Sequence, residues 1–248
     1  MTSTPLKFLS PDEPIILADA PWVSHAYSLK GLIPPGLLLL SAWLVFPWDA
    51  WISLYCHRIP AGEPKFLRNI LDNVEPFGHA VGVVVASLLV MLLDPKQWKT
   101  GTSVFCAGAG GGLAADFFKL CVGRVRPRNF DFASLDAQAT LTGWLPIFNG
   151  GGSGSQSFPS AHAATAFGLA VMLSSIYPRA RWLFFLMAVM VLGHRLHSGA
   201  HYASDILAGA AIGWLVALCC VRFAVRFRYF HATQGSRTAL ESPKSMAA

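Results

Sequence analysis

Charge is what this sequence has least of: 13% of its 248 residues are Asp, Glu, Lys or Arg, about half the share of an ordinary soluble domain. At 54% apolar residues, the chain also lies far from the composition of a disordered protein. Its five cysteines, Cys56, Cys106, Cys121, Cys219 and Cys220, make no Cys-x-x-Cys pair, which argues against a zinc site or a disulfide framework. The first 30 residues carry Asp12, Glu13 and Asp19 among several prolines. They lack the basic start and early apolar stretch of a cleaved leader, so this segment is expected to be retained. No internal repeat and no second domain is evident in the sequence.

Apolar runs are what the chain has in plenty. Near-chargeless stretches at about 31–47, 77–93, 101–120, 160–176, 181–197 and 203–224, with a mean hydropathy of +0.48, predict an all-α, polytopic membrane protein. The expected architecture is a bundle of six transmembrane helices over residues 31–230, with an N-terminal segment at 1–30 and a polar tail at 231–248. At about 1.5 Å per residue, a run of about 17 residues reaches about 26 Å, the short end of what crosses a bilayer core. The third run is the least apolar, holding Gly108, Gly110, Gly111, Gly112 and Asp116, and is expected to pack inside the bundle. Gly108 and Gly112, like Gly209 and Gly213, are spaced for close helix contact.

The net charge of +6 comes from 19 basic and 13 acidic residues. The basic residues sit mainly between apolar runs, so they report topology, and nucleic acid is not an expected partner. Six crossings put both termini on one side together with the 94–100 and 177–180 connections. That side holds 11 of the 19 Lys and Arg residues, leaving 8 beside the 48–76, 121–159 and 198–202 connections. The excess predicts cytoplasmic termini in a cell membrane and an extracytoplasmic 121–159 loop.

Titratable residues gather at the outer ends of the third to sixth runs: Lys119, Arg126, His162, Arg195, His201 and Asp205. Cations mixed with histidines and a carboxylate at one level suggest a polyanion site, not scattered topogenic charge. Three cations suit the equatorial oxygens of a phosphoryl group, and the planar fork of arginine suits two of the positions. In Phe158-Pro159-Ser160-Ala161-His162, Ser160 has the character of an N-cap whose following N–H groups can face an anion. His201 and Asp205 are spaced i, i+4, which lets the carboxylate orient the imidazole and leaves its other nitrogen as nucleophile or base.

Lys119-x6-Arg126-Pro127, Pro159-Ser160-Ala161-His162 and Arg195-x5-His201-x3-Asp205 together resemble the three-part signature of the type 2 phosphatidic acid phosphatase family, which includes bacterial acid phosphatases and vanadium haloperoxidases. The resemblance implies that His201 attacks phosphorus, Asp205 orients it and His162 protonates the leaving oxygen. It further implies that Lys119, Arg126, Ser160, Ala161 and Arg195 bind the phosphoryl oxygens, with water completing the cycle and no metal or other cofactor required. The expected partners are a lipid phosphate substrate and membrane lipids. This chain departs from the family in carrying Ala161 where Gly is usual and His194 where Ser is usual. A phosphotransferase and a non-catalytic lipid-phosphate binder are the alternative readings, with a vanadate-dependent oxidase remote.

Neighbouring residues receive plainer readings. Asp116 and Lys119 can form an i, i+3 ion pair that coexists with phosphate binding. Arg124 and Arg128, outside the motif, are expected to be solvated or to meet headgroups. His197 reads as an interfacial or packing residue, and the Gly- and Ser-rich stretch from Asn149 to Ser157 as a flexible connector without chemistry. Trp144, Leu145, Ile147 and Phe148 are expected to touch the outer headgroup layer.

Overall fold

A computed structural model of the chain describes residues 29–58, 65–93, 98–133, 135–149 and 152–241. Expectations that fall on residues 1–28 and 242–248 lie outside the described residues. Eight α-helices are described: α1 (Ile33–Val45), α2 (Asp49–Arg58), α3 (Lys65–Val74), α4 (Ala80–Leu93), α5 (Trp98–Lys119), α6 (Ala161–Ile176), α7 (Arg181–His197) and α8 (Ala203–Glu241). Each of the six apolar runs falls on a helix, and α8 continues into the polar stretch expected from 231. Among the described residues two helical segments are long and apolar enough to cross a membrane, Leu29–Cys56 and Ala203–Ala224; the pair Arg68–Gly78 and Ala80–Leu93 is long and apolar enough only when taken together, and it is bent by 69°.

The chain is mostly helical, and among the described residues one two-stranded antiparallel sheet, β1 (Val122–Arg124) with β2 (Leu141–Trp144), lies in the 121–159 connection. An extended strand is what carries Arg124 inward, which a helical continuation of α5 would not do. The 48–76 connection is itself helical where it is described. It contains α2 and α3 and ends in a single 3-10 turn, Glu75–Gly78, that brings it back over the bundle.

Helix α6 is the centre of the molecule, with every residue from Ala163 to Ile176 buried among α5, α7 and α8. Small residues set how closely those helices approach. A Cβ at Gly209 would lie 2.3 Å from the carbonyl oxygen of Ser160, and one at Gly213 would also strike the backbone of Ala164, so α8 runs against the α6 backbone at both expected glycines. Gly108 and Gly112 meet α6 through the side chains of Leu169 and Thr165. The apolar face of the bundle points outward: Trp43, Leu92, Leu93 and Trp182 are each more than 70% exposed.

Helix termini then define the site end. α6 opens on Ser160, whose side chain accepts from the Ala163 N–H. α8 opens with Asp205 reaching back to the N–H of Tyr202 at 2.9 Å, a capping-box arrangement with the acid in the third helical position. The Ser160 N–H donates to the backbone carbonyl of Asp205 at 3.1 Å, so the two helices begin at one level. α5 ends at Lys119 and α7 in His194, Arg195 and His197, a charge the C-terminal dipole favours.

Candidate active site

A buried cation, Arg124, lies at the centre of this end of the molecule and is 1% exposed. Its Nη2 donates to Asp49 at 2.7 Å, its Nη1 to Asp205 at 2.5 Å and to Ser204 at 2.8 Å, and its Nε to Thr140 at 3.0 Å. The guanidinium lies between the rings of Phe46 and Tyr202, 5.0 and 4.2 Å from their centroids. Burial alone would lower its pKa, but the carboxylates of Asp205 and Asp49 reverse this and hold it above the ordinary arginine value. The expectation of a solvated or headgroup-binding Arg124 is therefore overturned: the residue is a structural hub that holds Asp205 in place. Arg128, by contrast, is exposed.

His201 is fully buried beside this hub. Its Nδ1 lies 2.7 Å from the backbone carbonyl of Ser157 and 3.9 Å from Asp205 Oδ2. A carbonyl can only accept, so Nδ1 carries the proton and Nε2 keeps its lone pair. Asp205 meets the ring at one remove, through Ser157, whose hydroxyl donates to Oδ2 at 2.6 Å while its backbone carbonyl accepts from the ring. The direct Asp205 to His201 hydrogen bond read from the i, i+4 spacing is thus replaced by a bond to Ser157, because the carboxylate is already engaged by Arg124, Ser157 and the Tyr202 N–H. Burial, then the charges of Arg195, Arg126 and Lys119, hold the His201 imidazole well below the ordinary histidine range, with the Ser157 carbonyl offsetting part of the effect.

The Gly- and Ser-rich connector is also corrected. Where it is described, it is bonded into the site: Gln156 lies beside Arg124 in an isolated parallel bridge, and the Ser157 N–H donates to the Arg124 carbonyl at 3.0 Å. Arg126 donates to Ser153 O through Nε and to Gly154 O through its backbone N–H, each at 2.9 Å. Burial, followed by the charges of Arg128 and Arg195, lowers the Arg126 pKa, with the Asp205 carboxylate offsetting part of the effect.

The remaining predicted residues come to the same end. Lys119 is 13% exposed and pairs with Asp116 at 2.7 Å, so the i, i+3 pair exists and leaves the ammonium beside the site, where its charge acts on both His162 and His201. His162 is the second residue of α6, with its ring against that of His79, 5.4 Å between centroids. Ser160 is buried, and Ala161 opens the helix as its first residue. The N–H groups of Ala161 and His162 have no carbonyl a turn behind them and are the donors a helix start offers an anion. Arg195 donates from Nη1 to Glu75 at 2.6 Å, and its buried Nε has no hydrogen-bond partner among the described residues. Trp144 and Phe148 are 76% and 81% exposed beside β2.

Three functional neighbours escaped the sequence reading: Asp49, Glu75 and Ser157. Asp49 and Glu75 carried one signal, an acidic residue in a sequence poor in acids and flanked by apolar or aromatic residues. Nothing in the local sequence marked Ser157.

A model of the PAP2 superfamily matches residues 99–229, a span that contains every motif residue and excludes Asp49 and Glu75. The lipid A 4'-phosphatase of Bacteroides thetaiotaomicron is 31% identical over 173 residues, covering 65% of this chain and 73% of that protein. The lipid A 1-phosphatase of Rhizobium johnstonii is 32% identical over 193 residues, covering 70% of this chain and 76% of that protein. The bacitracin transport permease protein BcrC of Bacillus licheniformis is 33% identical over 75 residues, 30% of this chain and 37% of that protein. No solved structure matches the chain.

Proposed function

The chain belongs to the PAP2 superfamily, and on that premise we propose that it is an integral membrane phosphatase of lipid phosphates, working through a phosphohistidine at the extracytoplasmic face. The observation that carries this reading is His201 with Nδ1 tied to Ser157 and Nε2 without a hydrogen-bond partner among the described residues, in the field of Arg195, Arg126 and Lys119. A binder needs the cations but has no use for an oriented, deprotonated imidazole among them. The relatives named as lipid A phosphatases support a phosphorylated lipid as substrate, and the outward apolar side chains support a membrane setting.

In the reaction, Nε2 of His201 attacks phosphorus in line with the lipid oxygen. The bond between phosphorus and that oxygen breaks as His162 gives it a proton. Lys119, Arg126, Arg195, the Ser160 hydroxyl and the first N–H groups of α6 hold the phosphoryl oxygens as their charge spreads. Water then attacks the phosphohistidine, giving its proton to His162, and inorganic phosphate leaves with the Nε2 lone pair restored. The neutralising charge comes from side chains already present, so a chelator is expected to leave turnover intact.

The test is phosphate release by purified protein in detergent, screened over lipid A, phosphatidic acid, phosphatidylglycerol phosphate and an isoprenyl diphosphate. One or more of these is expected to be hydrolysed, and His201→Ala to abolish both turnover and the covalent phosphoenzyme. Full turnover by His201→Ala would refute the nucleophile assignment.

A further inference from the structure

The turn that joins α3 to α4 sets one acidic side chain among the cations. Glu75 Oε1 lies 2.6 Å from Arg195 Nη1, 3.7 Å from His162 Nε2 and 3.8 Å from His194 Nδ1. Close packing holds the turn in this position. A Cβ at Gly78 would come within 2.8 Å of the His162 carbonyl oxygen and 2.7 Å of Val191, so the backbone can meet both α6 and α7 there only as glycine. Asp72 Oδ1, 3.3 Å from His194 Nε2, ties α3 to α7 a second time.

One carboxylate oxygen thus approaches both the guanidinium and the imidazole that would act on the phosphoryl group and its leaving oxygen. A phosphoryl oxygen bridging Arg195 and His162 needs the same place. A carboxylate brings one negative charge, a phosphomonoester about 1.5 to 2 at neutral pH, and a phosphodiester one. Competition for the same cations is therefore graded by the charge of the incoming group. The Glu75 side chain is 34% exposed, which leaves it room to turn toward water when displaced. The unpartnered Nε of Arg195 is a further donor for the group that replaces it.

Resting on the phosphatase reading above, we infer that Glu75 is a specificity-determining residue: its carboxylate holds the anion position on Arg195 and His162 in the unliganded site, yielding to a dianionic phosphomonoester or a pyrophosphate but not to a monoanionic phosphodiester. A membrane enzyme is surrounded by phosphodiester headgroups, and this competition keeps them out of the cationic site.

The experiment is calorimetric binding of inorganic phosphate and of diethyl phosphate to the full chain in detergent at about pH 8, where inorganic phosphate is mostly dianionic and the diester carries one charge, for wild type, Glu75→Gln and Glu75→Asp. Wild type is expected to favour phosphate strongly. Glu75→Gln is expected to tighten diethyl phosphate on the order of ten-fold and to narrow the ratio of the two affinities, because like-charge competition is removed. Glu75→Asp, which withdraws the carboxylate by one methylene, is expected to shift the ratio in the same direction by less, and it keeps the test decisive if Glu75→Gln does not fold. An unchanged affinity ratio in both variants, or an equal loss of both affinities, overturns the assignment. Lipid phosphate release is measured alongside: turnover with an unchanged ratio defeats the Glu75 inference alone, whereas wild type that hydrolyses no lipid phosphate and binds neither anion defeats the phosphatase reading and the inference with it.

Discussion

Nδ1 of His201 is bonded to the backbone carbonyl of Ser157 at 2.7 Å, while the same residue's hydroxyl donates to Asp205 at 2.6 Å. One serine therefore sets the tautomer of the imidazole with its main chain and restrains the carboxylate with its side chain. The division separates two effects that a direct His–Asp bond would merge, and it ties the segment preceding α6 to both His201 and Asp205.

Ser157→Ala keeps the carbonyl and removes the hydroxyl, leaving Asp205 one bond short. Turnover is expected to fall by about ten- to hundred-fold, the scale of an unsatisfied buried charge partner, with the phosphoenzyme still detectable. In a double-mutant cycle with Asp205→Asn, the two losses are expected to be less than additive. Full additivity would show that the hydroxyl and the carboxylate act independently.

Arg124→Met leaves Asp49 and Asp205 buried without their shared cation. A loss of about 3 to 5 kcal/mol is expected in unfolding measured in detergent. Arg124→Lys should recover little of it, since one ammonium cannot span Asp49, Asp205 and Thr140 as the fork does. A variant as stable as wild type would show that the network is not what holds this end of the bundle.

The acid side of the stability profile follows from His201. Its folded pKa lies well below the ordinary histidine value, so below about pH 6.5 the unfolded chain takes up a proton that the folded chain refuses. Stability is then expected to drop as pH falls from about 6.5 toward 5, and to drop less in His201→Gln, which has no proton to accept. Thermal midpoints of the two proteins across this range provide the check. Parallel curves would contradict the burial of a neutral imidazole.

Gly209→Ala sets a methyl 2.3 Å from the Ser160 carbonyl oxygen and must push the start of α6 away from α8. Roughly 1 to 3 kcal/mol of stability should be lost, with a fall in turnover because Ser160 and His162 move together. Gly36→Ala, where the new Cβ meets nothing within 4 Å, is the matched control and should be neutral or slightly stabilising in its helix.

The helices that carry the apolar runs and the three motif segments were legible in the sequence because both are local signals, whereas the two helices of the 48–76 connection were not. Nor were Asp49, Glu75 and the true setting of Arg124. The bond from Arg124 to Asp49 joins residues 75 apart, that from Arg195 to Glu75 residues 120 apart, and that from Ser204 to Asp49 residues 155 apart. No periodicity records such pairs. Ser157 was read as connector for a related reason: its composition is that of a flexible loop, and only its pairing with Arg124 and Asp205 removes the freedom that composition allows.

Composition and spacing alone were enough to establish a helix-forming, charge-poor chain with cations and two histidines in a phosphate-binding order, since hydropathy and motif spacing act over one or two helical turns. Folding decided which of the arginines is sealed inside, which oxygen the imidazole of His201 bonds, and which acid faces Arg195. Those outcomes depend on how closely α6, α7 and α8 approach at Gly78, Gly209 and Gly213. In a buried site, a shift of an ångström or two decides whether a charge is paired, bridged through a hydroxyl or left for a ligand.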